Sequence, residues 1–150
     1  RTRPVAAADY WDRAGLRRWL ARRVLNAVLV DRVAAQEGLK GSREALRCIT
    51  TALAQGDSLI LFPEGTRGDG VEVAELKPGL YIVARERPEV ELVPVYLQNL
   101  SRILPKGEYL PVPLLASTTF GSPIRLEPGE GRPAFLERAR QAIASLGAEP

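Results

Sequence analysis

The sequence has 150 residues, of which 45% are hydrophobic and 26% are charged, a balance typical of a globular domain large enough to bury a core. Its net charge of +3 is compatible with phosphate-bearing ligands or an anionic membrane surface, but it is too small to indicate nucleic acid as a partner. The single cysteine excludes an internal disulfide, the lack of histidine argues against a zinc or iron site, and no apolar run approaches the ~20 residues of a membrane-spanning helix.

The first part of the chain predicts two strands separated by a basic helix. Residues 4–8 favour a short strand, and residues 11–25 carry apolar side chains on one helical face and arginines elsewhere. Residues 27–30 are a continuous apolar run, which indicates a second, buried strand that ends in Asp31 and Arg32. This alternation of strand and helix favours a parallel sheet.

A second helix and a third strand follow. Ser42 is suited to the N-cap of a helix that runs to about Ala54, and Gly56 is suited to ending it. Cys48 falls on the apolar face of this helix, where we expect it to pack in the core rather than to act in catalysis. The residues Ser-Leu-Ile-Leu at 58–61 then predict a buried strand of a parallel sheet.

The second half of the chain continues the pattern. Pro78, at an N1-like position, opens a helix that ends before Pro88. Leu92–Tyr96 predicts a strand in which Pro94 indicates an edge position or a bulge. The remaining elements are a proline-rich loop at 105–113, β-like residues at 117–120 and 124–126, and a helix from Pro133 with an apolar face formed by Phe135, Leu136, Ala139, Ile143 and Leu146. The sequence therefore predicts an α/β fold with a mostly parallel mixed sheet flanked by helices.

The hexapeptide at residues 62–67, Phe-Pro-Glu-Gly-Thr-Arg, carries the most chemical information. Pro63 cannot extend a strand ladder and Gly65 permits a sharp bend, so the chain must leave the sheet here. Open α/β sheets bind ligands at the carboxyl ends of their strands. The strand before it brings three polar groups to that end: the carboxylate of Glu64, the hydroxyl of Thr66 and the guanidinium of Arg67.

The hexapeptide resembles the signature of the glycerophospholipid acyltransferases, which acylate lysophosphatidate and related lysophospholipids. Three other segments match blocks of that family in the right order, so the resemblance extends from about Pro4 to Leu126. These segments are Val30-Asp31-Arg32, Leu76-Lys77-Pro78-Gly79 (similar to Phe-Lys-x-Gly, with Leu for Phe) and Val93-Pro94-Val95-Tyr96. The conjunction of blocks is far more specific than any one of them, and it implies a glycerolipid acyltransferase-like fold.

The resemblance also implies roles for individual residues. Arg32 and Arg67 would clamp the phosphate of the lysolipid, because planar guanidinium groups bind phosphate bidentately. Lys77 would add a point charge, and Glu64 would accept a hydrogen bond from a substrate hydroxyl. Gly65 and Thr66 would complete the substrate-binding turn, and Pro94 would lie on the acyl-donor side.

Each of these residues has a plainer interpretation. Arg32 could be a solvated strand end, Lys77 a surface charge before a helix, and Pro94 the end of a strand ladder. Glu64 and Arg67 could form a local ion pair worth about 0.5 kcal/mol. Only the order of the blocks favours the functional interpretation, which predicts that Arg32 and Arg67 lie close together at the ends of parallel strands.

The implied reaction is transfer of a fatty acyl group from acyl-CoA or acyl-carrier protein to the free hydroxyl of a lysophospholipid. The implied partners are the lysophospholipid, the acyl thioester as co-substrate and a membrane surface. Neither a cofactor nor a metal is implied. The resemblance further implies a peripheral location on the cytoplasmic face of a membrane.

The family's first block, Asn-His-x-x-x-x-Asp, supplies a histidine base and the carboxylate that orients it, and nothing in this sequence matches it. We therefore expect residues 1–150 to be an acyltransferase-like domain that lacks its N-terminal His-x-x-x-x-Asp unit, with no catalytic residue of its own and no activity alone. Two alternatives remain: a non-catalytic phospholipid- or phosphate-binding module related to these enzymes, and a small α/β phosphate-binding protein unconnected with lipids.

Overall fold

The computed structural model describes residues 1–8, 19, 23–24, 26–30, 39–66, 72–99, 103 and 115–148. The chain divides into two compact units, an N-terminal unit (Arg1–Phe62) and a C-terminal unit (Pro63–Pro150). Of the predicted helix at 11–25, only positions 19, 23 and 24 are among the described residues, and the predicted loop at 105–113 is outside them. Within the described ranges, no helix combines the length and the apolar composition that a membrane crossing requires.

Three short parallel strands form the sheet of the N-terminal unit. They are β1 (Thr2–Ala7), β2 (Val28–Val30) and β3 (Ser58–Ile60). β1 lies between the other two, with Val5 opposite Val28 and Thr2 opposite Ser58. Helix α1 (Leu39–Ala54) lies between β2 and β3 in the chain, and it provides the long crossover that parallel strands on the two sides of β1 require. The strands predicted at 4–8, 27–30 and 58–61 are confirmed, with ends that differ by one or two residues.

The strand β3 is more exposed than its apolar sequence suggests. It pairs only with β1 among the described strands, and Ile60 is 47% exposed. The prediction of a buried strand at 58–61 is therefore wrong, because an outer position in the sheet leaves one edge of the strand unpaired. The buried apolar side chains lie instead around β2 and on α1, at Ala27, Val28 and Ala52.

The two ends of α1 compare differently with the prediction. The helix begins at Leu39, so Ser42 lies inside its first turns and is not the N-cap. A serine preference at the N-cap is worth only about 1 kcal/mol, which the additional hydrogen bonds of a longer helix can outweigh. The other end is confirmed. Gly56 has a φ of 78°, its N–H donates to Leu53 O at 3.0 Å and the Asp57 N–H donates to Ala52 O at 3.2 Å, which is the Schellman arrangement.

An antiparallel strand pair and two helices form the C-terminal unit. Its elements are α2 (Gly79–Glu86), β4 (Val95–Gln98), β5 (Ser117–Phe120) and α3 (Arg132–Ala148). The predicted helices and the strands at 92–96 and 117–120 are confirmed in outline, whereas of the β-like residues 124–126 only Ile124 pairs, in a single bridge. Pro78 occupies the N-cap rather than the first helical position, and α2 ends before Pro88 as expected. The α/β class is confirmed, although the described strands form one parallel and one antiparallel sheet rather than a single mixed sheet.

Pro94 lies at an irregularity next to the β4–β5 ladder. Val95 is opposite Phe120, whereas Leu92 pairs with Ile124 in a single bridge that is one residue out of that register. Pro94 has no N–H to donate, but its carbonyl accepts a hydrogen bond from the Gly121 N–H at 2.9 Å. The predicted strand at 92–96 therefore starts three residues later, and the irregularity that Pro94 indicated is confirmed.

The core of the C-terminal unit forms where α3 packs against α2, β4 and β5. Phe135 is fully buried, and its ring centroid is 6.0 Å from that of Tyr81. Ala139 on α3 and Val83 on α2 are also buried. The apolar face predicted for α3 is confirmed, with its three other members half-buried: Leu136, Ile143 and Leu146.

A close approach of α3 to β4 gives a testable stability difference. A Cβ atom at Gly147 would lie 2.5 Å from Cζ of Tyr96 and 2.8 Å from both Cε carbons. We expect Gly147→Ala to lower the free energy of unfolding by about 1–3 kcal/mol, because the aromatic ring must move within a packed interface.

Chemical denaturation measures this effect, and Gly131→Ala is the control, because its added Cβ would be 3.9 Å from the nearest atom, Cδ of Pro133. Alanine is intrinsically better than glycine in a helix by up to about 1 kcal/mol. A Gly147→Ala protein as stable as the unsubstituted chain would contradict the expected loss, and a gain of about 1 kcal/mol would mean that the helix shifts freely on β4.

Candidate functional site

The residues at 63–66 form a turn at the start of the C-terminal unit. Strand β3 ends at Ile60, and the chain bends through Pro63 and Glu64 into Gly65. Gly65 has a φ of 72°, a left-handed conformation that costs other L-residues roughly 1–2 kcal/mol. The backbone conformation at position 65 therefore favours glycine, and a neighbouring side chain adds a steric reason for glycine at this position.

The steric reason is Lys77. A Cβ atom at Gly65 would lie 3.3 Å from Cγ and 3.5 Å from Cε of Lys77, so the aliphatic part of the lysine lies against the glycine. The N–H of Lys77 donates to Pro63 O at 2.8 Å. Lys77 is exposed, whereas the preceding residue, Leu76, is buried and anchors the segment. The structure thus brings together two motifs whose contacting residues, Gly65 and Lys77, are twelve positions apart in the sequence.

Glu64 connects the turn to the same segment. Its Oε2 accepts a hydrogen bond from the N–H of Ala74 at 3.1 Å. The sequence suggested a hydrogen bond from a substrate hydroxyl, and that role stays a prediction. What the geometry adds is that one carboxylate oxygen holds the backbone of residues 72–77 against the turn. We call the turn at 63–66 and the segment at 72–77 together the turn cluster.

A residue of α3 also reaches the turn cluster. Nη1 of Arg140 donates to the carbonyl oxygen of Val73 at 3.3 Å, and its other nitrogens bond to Glu137. Sequence reasoning did not identify Arg140, because 67 residues separate it from Val73. The pair of Glu137 and Arg140 three residues apart is visible in the sequence, but such a pair is usually only a solvated ion pair on a helix.

Two predicted phosphate ligands, Arg32 and Arg67, lie outside the described residues. Their roles and their predicted proximity stay predictions. Of the predicted substrate-binding residues, the structure describes four, and all four belong to the turn cluster: Glu64, Gly65, Thr66 and Lys77. Thr66 is exposed.

Pro94 is buried within the C-terminal unit. A Cβ atom at Gly121 would lie 2.9 Å from Cγ of Pro94 and 3.2 Å from both Cδ carbons of Leu146, so the proline ring packs in this interior. The predicted place on the acyl-donor side remains a prediction for this residue. Three apolar side chains on or beside the β4–β5 ladder are exposed: Val93, Leu97 and Phe120, of which Phe120 is 70% exposed.

Cys48 belongs to the N-terminal unit. It is half-buried and lines a groove of about 510 Å³ in the N-terminal unit, between β2 and α1. Ala27 and Ala52 line the same groove, together with the charged side chains of Arg3 and Arg47. This position fits the packing role expected of the thiol, although the thiol is not fully enclosed.

Comparisons with known proteins agree with the order of the motifs. The family model described as Acyltransferase matches residues 1–98. A curated 1-acyl-sn-glycerol-3-phosphate acyltransferase of Chlamydomonas reinhardtii is 30% identical over 118 residues, which are 79% of this chain. The chain spans only 34% of the length of that relative.

The fold also matches a solved structure. The 1-acyl-sn-glycerophosphate (LPA) acyltransferase PlsC from Thermotoga maritima aligns with a TM-score of 0.74 and 20% sequence identity. The alignment covers 98% of this chain and 56% of that protein. At this identity the likeness shows a common fold.

Proposed function

Because this chain belongs to the acyltransferase family, we propose that it serves acyl transfer to lysophosphatidate or a closely related lysophospholipid. In the reaction the free hydroxyl oxygen attacks the carbonyl carbon of an acyl thioester. An ester C–O bond forms, the C–S bond breaks, and the hydroxyl proton passes through a base to the released thiolate. The donor would be acyl-CoA or acyl-carrier protein. The name of the algal relative supports lysophosphatidate as the acceptor.

The observation that carries the proposal is the contact between Gly65 and Lys77. It sets an exposed cation beside the family hexapeptide, where an anionic headgroup would bind. The described part of the cluster also contains three carboxylates, on Glu64, Glu72 and Glu75, so one lysine does not make it electropositive. The phosphate site therefore needs a further cation, which is the role that the family motif predicts for Arg67.

The chemical step requires a base that these residues do not include. A histidine with a pKa near neutral best accepts the hydroxyl proton, and residues 1–150 contain none. We propose that the base comes from outside these residues and that the chain supplies the phosphate-binding part of the site.

The absence of histidine also favours a second candidate, a phospholipid-binding module that does not catalyse. We propose that both candidates work at the cytoplasmic face of a membrane, and liposome co-sedimentation tests the membrane binding that such a location requires.

Calorimetric titration of the 150-residue chain tests the phosphate site. We expect lysophosphatidate to bind and the monoacylglycerol of the same chain length to bind far more weakly. Lys77→Ala should weaken lysophosphatidate binding about fivefold, which corresponds to about 1 kcal/mol for an exposed charge pair. Arg132→Ala, which removes an exposed cation at the start of α3, is the control and should have no effect. Equal affinity for both lipids would contradict the proposal.

A thiol-release assay with lysophosphatidate and a long-chain acyl-CoA tests the missing base. We expect no turnover above background from this chain. Turnover of about 1 per second or more, an ordinary enzymatic rate, would refute the proposal that the base lies elsewhere and would point to a base other than histidine.

A further inference from the structure

Arg140 on α3 and Glu64 in the turn bind opposite sides of one peptide group. The guanidinium donates to the carbonyl oxygen of Val73, and the carboxylate accepts from the N–H of Ala74. The C=O of Val73 and the N–H of Ala74 belong to the same planar amide, which cannot twist appreciably. A rotation of this plane would therefore weaken both hydrogen bonds at once.

The guanidinium is itself held in position. Its Nε and Nη2 donate to the two oxygens of Glu137 at 2.9 and 2.7 Å, and Gln141 donates to the same carboxylate at 2.9 Å. The hydrogen bonds from Arg140 and then from Gln141 lower the pKa of Glu137 to about 2, so the pair is fully ionised at neutral pH. The Arg140 side chain is only 32% exposed. This bidentate geometry fixes the direction in which the remaining nitrogen, Nη1, points.

Arg140 is also the counter-charge of the segment that it holds. Its pKa is raised first by its hydrogen bond to Glu137 and further by the negative charges of Glu72 and Glu75. Without Arg140, the negative charges of these two carboxylates would be less well neutralised, and they would oppose the binding of an anion beside Lys77. Both the order and the charge of the turn cluster therefore depend on a residue of α3.

We propose that Arg140 is a positioning residue for the anion site of the turn cluster. By fixing the peptide group between Val73 and Ala74, it holds Glu64 and the segment that carries Lys77 in a geometry suited to a phosphate. The hydrogen bond from the charged Arg140 to the carbonyl of Val73 also polarises this amide, which strengthens the hydrogen bond from the Ala74 N–H to Glu64. The role of Arg140 in binding depends on the proposed function, whereas its effect on the amide does not.

Amide hydrogen exchange measured by NMR tests the effect on the amide. In Arg140→Ala, we expect the N–H of Ala74 to exchange about tenfold faster, because one support of its peptide group is lost. The N–H of Phe135, which bonds to Gly131 O at the start of α3, should exchange as before. Arg132→Ala, a substitution on the same helix, is the matched control and should change neither rate. Unchanged exchange at Ala74, or equal acceleration at Ala74 and Phe135, would overturn the proposal.

Lysophosphatidate titration tests the effect on binding. We expect Arg140→Ala to bind lysophosphatidate about fivefold more weakly. Arg140→Lys should recover the part of that affinity that depends on the positive charge. Ala74 should still exchange fast in this variant, because an ammonium lacks the planar fork that holds the peptide group. The double variant with Glu64→Ala should lose less than the two single losses combined, since both act on one peptide group.

The outcomes separate this inference from the proposed function. An unsubstituted chain that does not bind lysophosphatidate would refute the proposed function, and the exchange rates would then decide the effect of Arg140 alone. Faster exchange at Ala74 with unchanged affinity would overturn the binding role of Arg140. If Arg140→Ala does not fold, Glu137→Ala tests the same positioning, because it removes the carboxylate that fixes the direction of Arg140 Nη1.

Discussion

Gly65→Ala is expected to weaken lysophosphatidate binding by at least about tenfold. The left-handed φ of 72° disfavours any side chain, and the added methyl group would press on the stem of Lys77 at 3.3 Å. The stem of Lys77 must shift by a few tenths of an ångström, or the turn must open. Opening of the turn would displace the hexapeptide backbone as well as the cation, so the loss of affinity should be larger than the loss from removing the Lys77 charge alone.

Gly129→Ala is the matched control for this substitution. Gly129 lies in the same unit with a φ of 79°, but nothing lies within 4 Å of its added Cβ atom. Both variants should lose roughly 1–2 kcal/mol of stability from the backbone strain. Only Gly65→Ala should lose affinity. Equal affinities in the two variants would mean that the Gly65–Lys77 contact has no part in binding.

Arg67→Ala is expected to weaken lysophosphatidate binding by about tenfold to a hundredfold. The role of Arg67 rests on the family motif, and a charge-assisted bidentate bond is worth about 1.5–3 kcal/mol. Arg67→Lys should recover little of the loss, because an ammonium cannot reproduce the planar fork. Neither variant should bind the monoacylglycerol any differently, since that lipid has no phosphate.

A melting curve for each Arg67 variant completes the test. A phosphate ligand in an empty site contributes little to stability, so the midpoint should stay within about a degree or two of that of the unsubstituted chain. A large fall in the midpoint, together with equal losses of affinity for both lipids, would show that Arg67 supports the fold instead.

The sequence predicted local structure well where one residue type decides the outcome. Gly56 ends α1 because it adopts a positive φ, and the apolar spacing of α3 places Phe135 and Ala139 in the core. Two of the predictions that the structure corrects failed for reasons outside the local sequence. Burial of residues 58–61 depends on where β3 lies in the sheet, and the start of α1 depends on the hydrogen bonds gained by a longer helix, which outweigh the N-cap preference of Ser42.

The candidate site likewise contains contacts that the sequence predicted and contacts that only the fold determines. The order of the motifs predicted that Gly65 and Lys77 belong to one site, and the structure shows their contact. The bond between Arg140 and Val73 joins residues 67 positions apart, and no periodicity or motif encodes such a pair. The hydrogen bond of Glu64 to Ala74 also follows from the path of the backbone, which residue types alone do not fix.

The central claim is that the turn cluster binds the phosphate of a lysophospholipid, and backbone amide chemical shifts test it most directly. The chain would be titrated with short-chain lysophosphatidate below its critical micelle concentration, and separately with the matching monoacylglycerol. We predict that the amides of Gly65, Thr66 and Lys77 shift with lysophosphatidate only, while those of Gly56 and Gly129 stay in place. Equal shifts with the phosphate-free lipid, or shifts that spare the turn cluster, would contradict the claim.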